Sequence, residues 1–206
     1  MVLDLEGEAN DYVGKGLSGG IIGIRPFRTA GYARLTHENV IVGNTVLYGA
    51  TSGRFFAAGQ AGSRFAVRNS GAVAVIEGAG NHCCEYMTGG MVVVLGPVGR
   101  NFGAGMSNGV AYVLDEGGGF ASRVNTDMVR VDRCSEEDEQ RLLLLIHEHQ
   151  ERTGSARARQ LIAQWAEFRP LFKKVIPNTT PTAPKAVAQP TEPAPEPAPE
   201  PAGAGS

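Results

Sequence analysis

Aromatics, cysteines and long apolar runs are all scarce in this sequence, and each scarcity removes a class of protein. Aromatic residues make up 7% of the 206 positions, with a single Trp, so a core has to come mainly from aliphatic side chains. The three cysteines, Cys83, Cys84 and Cys134, are too few for a disulfide framework. The adjacent pair lacks the CxxC spacing of a zinc or redox site, and all three read as reduced thiols of a cytosolic protein. No run approaches the length of a membrane helix. The opening "MVLDLEGEAND" has neither the basic start nor the apolar stretch of a signal peptide. Charge of one sign is missing too: the net charge is −2, and residues 1–134 carry eleven basic and eleven acidic side chains. Bulk electrostatics therefore favours neither nucleic acid nor a membrane surface. A cytoplasmic, soluble protein is expected.

What is plentiful is glycine, 28 residues in all, and it recurs in phase. A Gly following Ser, Thr or Asn occurs at Gly19, Gly53, Gly71, Gly89 and Gly109, and the last four are 18, 18 and 20 residues apart. The first gap, 34 residues, leaves room for two short units, and "ENVIVGNTVLYGATSG" supplies an apolar run and a Gly-rich turn to fill it. Each repeat pairs the glycine with a Val-rich run, as in "NSGAVAVIEG" and "MTGGMVVVLG". Phe65, Cys83 and Phe102 fall at one equivalent position and read as inward residues of a ladder. The runs are too short for helices. Phrases repeating at this period predict a solenoid. Specifically, a parallel β-helix is expected over residues 1–134, with two or three strands of three to five residues per turn and Gly or Asn in left-handed corners.

From residue 135 the pattern turns helical. Ser135 and Asp138 make a capping box, and Glu136 to Glu139 suit the positive end of the helix dipole. Leu142, Leu143, Leu145, Ile146 and His149 form a buried stripe, with Gly154 as the stop. Ser155 then caps a second helix running toward Pro170, with Leu161, Ile162, Trp165 and Phe168 on one face. Residues 135–176 thus read as a helical hairpin packed on the solenoid. Residues 177–206, rich in Pro, Ala and Glu, read as a disordered tail. A Pro-rich segment can dock on an aromatic groove, but no PxxP here has flanking basic residues.

No self-contained active site emerges: no catalytic, cofactor-binding or metal-binding residue is assigned. Between Asp11 and Asp115 there is no Asp. Glu38, Glu77 and Glu85 do not recur at one unit position, and Glu77 and Glu85 read as solvated surface groups. His147 and His149, two apart on a helix, face different ways. His82 beside Cys83 and Cys84 has no fourth ligand nearby. Arg54, Arg64, Arg68 and Arg100 read as surface groups near corners, suited to a partner protein. "GKGLSGG" (14–20) lacks the Gly-Lys-Ser/Thr ending and the helix of a phosphate loop.

Three stretches carry a resemblance: "ANDYVGKGLSGGIIGIRP" (9–26), "GNTVLYGATSGRFFAAGQAGSRFAVRNSGA" (43–72) and "GNHCCEYMTGGMVVVLGPVGRNFGAGMSNGVAYVLDE" (80–116). Together with "EHQERTGSARARQLIAQW" (148–165), they closely resemble the C-terminal GXGXG domain of the large (alpha) subunit of glutamate synthase, over roughly residues 3 to 176. The resemblance implies a right-handed β-helix that holds an amidotransferase domain and an FMN- and iron–sulfur-binding synthase domain in register. It places the catalytic Cys, the FMN contacts and the cluster cysteines in those other domains. Relative to the family, the first turns are expected to be missing, which would leave exposed strand edges and a need for a partner. The alternatives are a β-helix component of a related assembly, such as a formylmethanofuran dehydrogenase or an N-methylglutamate-forming enzyme, or a polysaccharide-lyase type of β-helix enzyme. The last would need a carboxylate or basic cluster on one ladder.

Overall fold

A computed structural model describes residues 1–179. The tail read from sequence therefore lies almost wholly outside the described residues. Six parallel strands stack in order: β1 (Val2–Glu6), β2 (Ser18–Arg25), β4 (Ser52–Ala61), β5 (Ser70–Ala79), β6 (Thr88–Val94) and β7 (Asn108–Leu114). A short strand β3 (Val40–Val42) pairs with the end of β4. The result is the expected β-solenoid, one main strand per coil.

The aligned glycines each follow the first residue of a main strand. At Gly71 the reason is space: a Cβ there would lie 2.1 Å from the carbonyl oxygen of Thr51 in the preceding coil. Ser18 of β2 sits directly beside Ser52 of β4. The 34-residue gap is therefore one coil enlarged by an excursion over residues 26–39, not two short units.

The coil differs from the sequence expectation in a second way. Each main strand is seven to ten residues long in β4 to β7. The return path is not a strand but a ribbon in which every second residue is left-handed. The left-handed positions are 12, 14, 16; 45, 47, 49; 64, 66, 68; 82, 84, 86; and 101, 103, 105. Only some are Gly or Asn. Tyr12, Thr45, Leu47, Arg64, Ala66, Arg68, His82, Cys84 and Tyr86 all hold φ between 53° and 63°, which costs an L-residue roughly 1–2 kcal/mol. Coil-to-coil hydrogen bonds hold them there. Tyr12, Thr45, Arg64 and His82 donate N–H to Asn44, Ser63, Asn81 and Arg100 of the next coil at 2.8–2.9 Å. Leu47, Ala66, Cys84 and Gly103 donate to Val13, Val46, Phe65 and Cys83 of the coil before at 2.8–2.9 Å. Breaking the conformation would leave these amides, several of them in the buried core, without their partners.

The residues between the first two left-handed positions form the predicted ladder. Val46, Phe65, Cys83 and Phe102 are fully buried in the inner core, with Val13 packed against it. Along the strands the register alternates sides. Phe55, Ala74, Val92 and Ala111 line the interior, while Phe56, Val75, Val93 and Tyr112 point out of the coil.

That outer row does not face water. It lies under helices α1 (Glu136–Thr153) and α2 (Ala156–Ala163). The capping box of Ser135 and Asp138 is present, and Gly154 ends α1 with φ 68°. Leu142, Leu145, Ile146 and His149 are buried against the sheet. Each apolar side chain so covered contributes about 2 kcal/mol. The second helix is shorter than expected: it stops at Ala163, and a separate single turn follows at Trp165–Phe168. Residues 172–177, read from sequence as the end of the helical extension and the start of the tail, instead form strand β9 (Phe172–Pro177). It runs antiparallel between β7 and β8 (Val129–Arg133).

Candidate functional site: a buried carboxylate clamp and an exposed ribbon face

Two clusters stand out, one inside and one outside. The inner one centres on Glu77. Its backbone belongs to β5 and its side chain turns toward the helices, where it is fully buried. Thr36 and Ser155 both donate their hydroxyls to it, and His149 Nε2 lies 3.1 Å from Oε1. The expectation of a solvated Glu77 is thus overturned. The excursion 26–39, α1 and the cap of α2 converge on one carboxylate, and nothing in the local sequence shows that convergence. Ser155 serves twice, since its Oγ also accepts the N–H of Ala158 at 2.9 Å. Ser, His and carboxylate are together, but the serine bonds the carboxylate and not the imidazole. The nucleophile–base contact that acyl transfer needs is not formed.

Further ties bind the helices. Arg54, read as a corner surface group, instead pairs with Glu148 of α1, Nε donating to Oε1 at 2.9 Å. Arg157, which the sequence did not single out, is only 4% exposed. It donates to the carbonyl of Leu95 at 3.1 Å and pairs with Glu116. Asp138 accepts from Tyr112 Oη at 2.6 Å and from Lys174 Nζ at 2.8 Å. Burial alone would raise the Asp138 pKa, yet hydrogen bonds from Lys174, Tyr112 and the Ser135 amide hold it down to about 2.

The outer cluster lies on the ribbon. Tyr12 and Tyr86 are exposed, and Tyr12 meets Tyr48 edge to face with centroids 6.4 Å apart. Lys15 Nζ sits 5.5 Å and 6.0 Å from the centroids of Tyr12 and Tyr48. Arg68 Nη1 donates to the Tyr48 hydroxyl at 3.2 Å. Glu85, expected to be solvated, is mostly covered, between Arg64 at 3.7 Å and His82 at 3.5 Å. A groove of about 650 Å³ runs between Tyr48, Arg64, Arg68 and Tyr86.

The cysteines and His82 lie apart. His82 faces outward and bonds Asn101 at 3.0 Å, whereas Cys83 and Cys84 are buried with their sulfurs 3.8 Å apart. Burial raises the Cys84 pKa well above normal. Cys134, in the link between β8 and α1, donates to the Phe172 carbonyl, and burial pushes it up to about 12. Thiols split between two places, Cys83 and Cys84 in one and Cys134 in the other, do not fit an iron–sulfur cluster, which needs thiolates converging on one point. Among the described residues no group of three or more potential ligands could hold a metal ion. No helix among them is long and apolar enough to cross a membrane.

The family model described as "GXGXG motif" matches residues 1–178. The chain belongs to the GXGXG family. This GXGXG chain is 51% identical over 187 residues to "Ferredoxin-dependent glutamate synthase 2" of Synechocystis sp., covering 90% of the chain and 12% of that relative. It is 49% identical over 189 residues to "Ferredoxin-dependent glutamate synthase 1, chloroplastic/mitochondrial" of Arabidopsis thaliana, covering 91% and 12%. It is 51% identical over 179 residues to "Glutamate synthase [NADH]" of Schizosaccharomyces pombe, covering 86% and 8%. The GXGXG chain thus spans about an eighth or less of the length of these relatives.

Proposed function

We propose that the chain is the structural and assembly module of a glutamate synthase, an enzyme that turns glutamine, 2-oxoglutarate and reductant into two glutamates. In this reading it holds the amidotransferase and synthase portions in register and contributes no catalytic residue. FMN and iron–sulfur chemistry falls to those other portions. The observation that carries the reading is the match of nearly the whole chain to a small share of several glutamate synthases, whose names differ in electron donor. The interior supports it: the buried carboxylates Glu77 and Asp138 both bind the helices to the solenoid rather than facing a cavity. A scaffold needs rigidity, and coil-to-coil hydrogen bonds with a clamped helical flank supply it.

The test is co-expression of the full chain with the amidotransferase and FMN-synthase polypeptides of the same source. Co-purification, with glutamine-dependent glutamate formation that disappears when this chain is omitted, is the expected result. Free chain beside a fully active pair would overturn the assembly role.

A further inference from the structure

A cleft outside both clusters is lined by cations. It lies where the end of β2, the excursion over residues 26–39 and the junction of α1 with α2 meet. Its volume is about 330 Å³, at the small end of the range for ligand pockets. Arg25, Arg28 and Arg159 line it, against a single carboxylate, Glu151. Among the described residues neither Arg28 nor Arg159 has an acidic partner within ion-pair distance, and Arg25 has only Glu6, 3.5 Å from its Nη2. Glu77 does not line the cleft. Thr36 and Ser155 do, and both commit their hydroxyl protons to Glu77.

The sign of a ligand is Arg25 Nε. It is buried, and no acceptor among the described residues satisfies it. Native structures leave few buried donors unpaired. A guanidinium only donates, so the missing group is an acceptor, and a charged oxygen is the strongest kind. The rest of the cleft favours the same sign of charge. Three guanidinium groups gathered in one concavity repel one another until an anion sits among them. Ser155 caps α2, which brings the positive end of that helix dipole to the cleft as well.

We propose that this cleft binds a small oxyanion with two or more negative charges, a dicarboxylate or a phosphate, held by Arg25, Arg28 and Arg159. Planar guanidinium forks match the paired oxygens of both groups. Arg28 comes from the excursion and Arg159 from α2, so the bound anion bridges them across the seam that Glu77 closes from within. A ligand that ties these segments together only in the folded chain stabilises it. The inference stands on the cleft alone and does not depend on the glutamate synthase reading.

The test is a titration of the full chain with succinate and, separately, with inorganic phosphate, at constant ionic strength. Arginine Nε–Hε resonances are followed by 1H–15N NMR, and melting temperature is read in parallel. Binding predicts a saturable shift of the Arg25 Nε–Hε resonance and a higher melting temperature, and the tighter probe tells a carboxylate site from a phosphate site. Arg28 and Arg159 are exposed, so Arg28→Gln and Arg159→Gln should fold normally and each weaken binding about tenfold, the share of one charge-assisted hydrogen bond. Lys15→Gln and Arg100→Gln remove the same charge outside the cleft and should leave binding unchanged. No saturable shift at Arg25 with either probe by about 10 mM would overturn the proposal. So would binding that survives Arg28→Gln and Arg159→Gln together, or that the two control variants weaken equally.

Discussion

Tyr112 donates its hydroxyl to Asp138 Oδ1 at 2.6 Å, so the outer row of the sheet reaches into the first turn of α1. The same carboxylate caps the helix and accepts Lys174 of β9. Three elements depend on its charge. With a folded pKa of about 2 against roughly 3.9 in an unfolded chain, the unfolded state binds the extra proton between those values. Stability contributed by Asp138 is therefore complete above about pH 4 and lost as pH falls toward 2. Asp138→Asn should reduce that acid dependence in urea titrations and destabilise by about 2 kcal/mol at neutral pH.

Glu77 should be the most sensitive polar position. Glu77→Ala leaves the hydroxyls of Thr36 and Ser155 and the imidazole of His149 buried without their acceptor. The expected loss is about 3–5 kcal/mol. Trp165 packs 5.8 Å from Phe172 between centroids and is the only Trp, so its fluorescence reports the helical flank. A red shift in Glu77→Ala at temperatures where circular dichroism still shows strand would place the damage at the clamp.

Ribbon and strand start respond to glycine in opposite ways. Thr45 is β-branched and left-handed at φ 60°, so Thr45→Gly relieves strain and should stabilise by up to about 1 kcal/mol after the entropy cost of glycine. Gly71→Ala forces a methyl onto the Thr51 carbonyl and should cost about 3 kcal/mol. Thermal melts of both variants check the pair.

How far the fold could be read ahead of the coordinates depended on what each feature rests on. The phase of Gly53, Gly71, Gly89 and Gly109 is local and periodic, and it led directly to the coil and to the Phe65, Cys83, Phe102 ladder. The caps at Ser135, Gly154 and Ser155 were legible because capping is decided within four residues. The left-handed Arg64, Ala66 and Cys84 were not, since their conformation is imposed by hydrogen bonds to neighbouring coils 17 to 20 residues away. Glu77 was misread for a similar reason. It lies on the outer side of the coil, and only helices from far along the chain make that side an interior. Arg54 faces the same helices, so its pairing with Glu148 was equally invisible.

The thiols should be inert in the folded chain. Cys83 and Cys84 are buried, and Cys134 is held at about 12. Its thiolate fraction at pH 8 falls roughly three orders of magnitude below that of a free cysteine. A colorimetric thiol assay should count near zero rapidly reacting groups natively and three in denaturant. Rapid native labelling of Cys134 would contradict the environment drawn for it.

Strand β9 enters against the direction of every coil before it, and β8 beyond it carries Arg130, Asp132 and Arg133 along its length. A reversed strand offers no template for another parallel coil, and charges along an outer strand discourage pairing. The stack therefore has a polarity. Among the described residues β8 forms one edge of the sheet, and β1, with Val2 and Leu3 half exposed, forms the other. A parallel coil can therefore pair with the edge of β1 but not with the edge of β8.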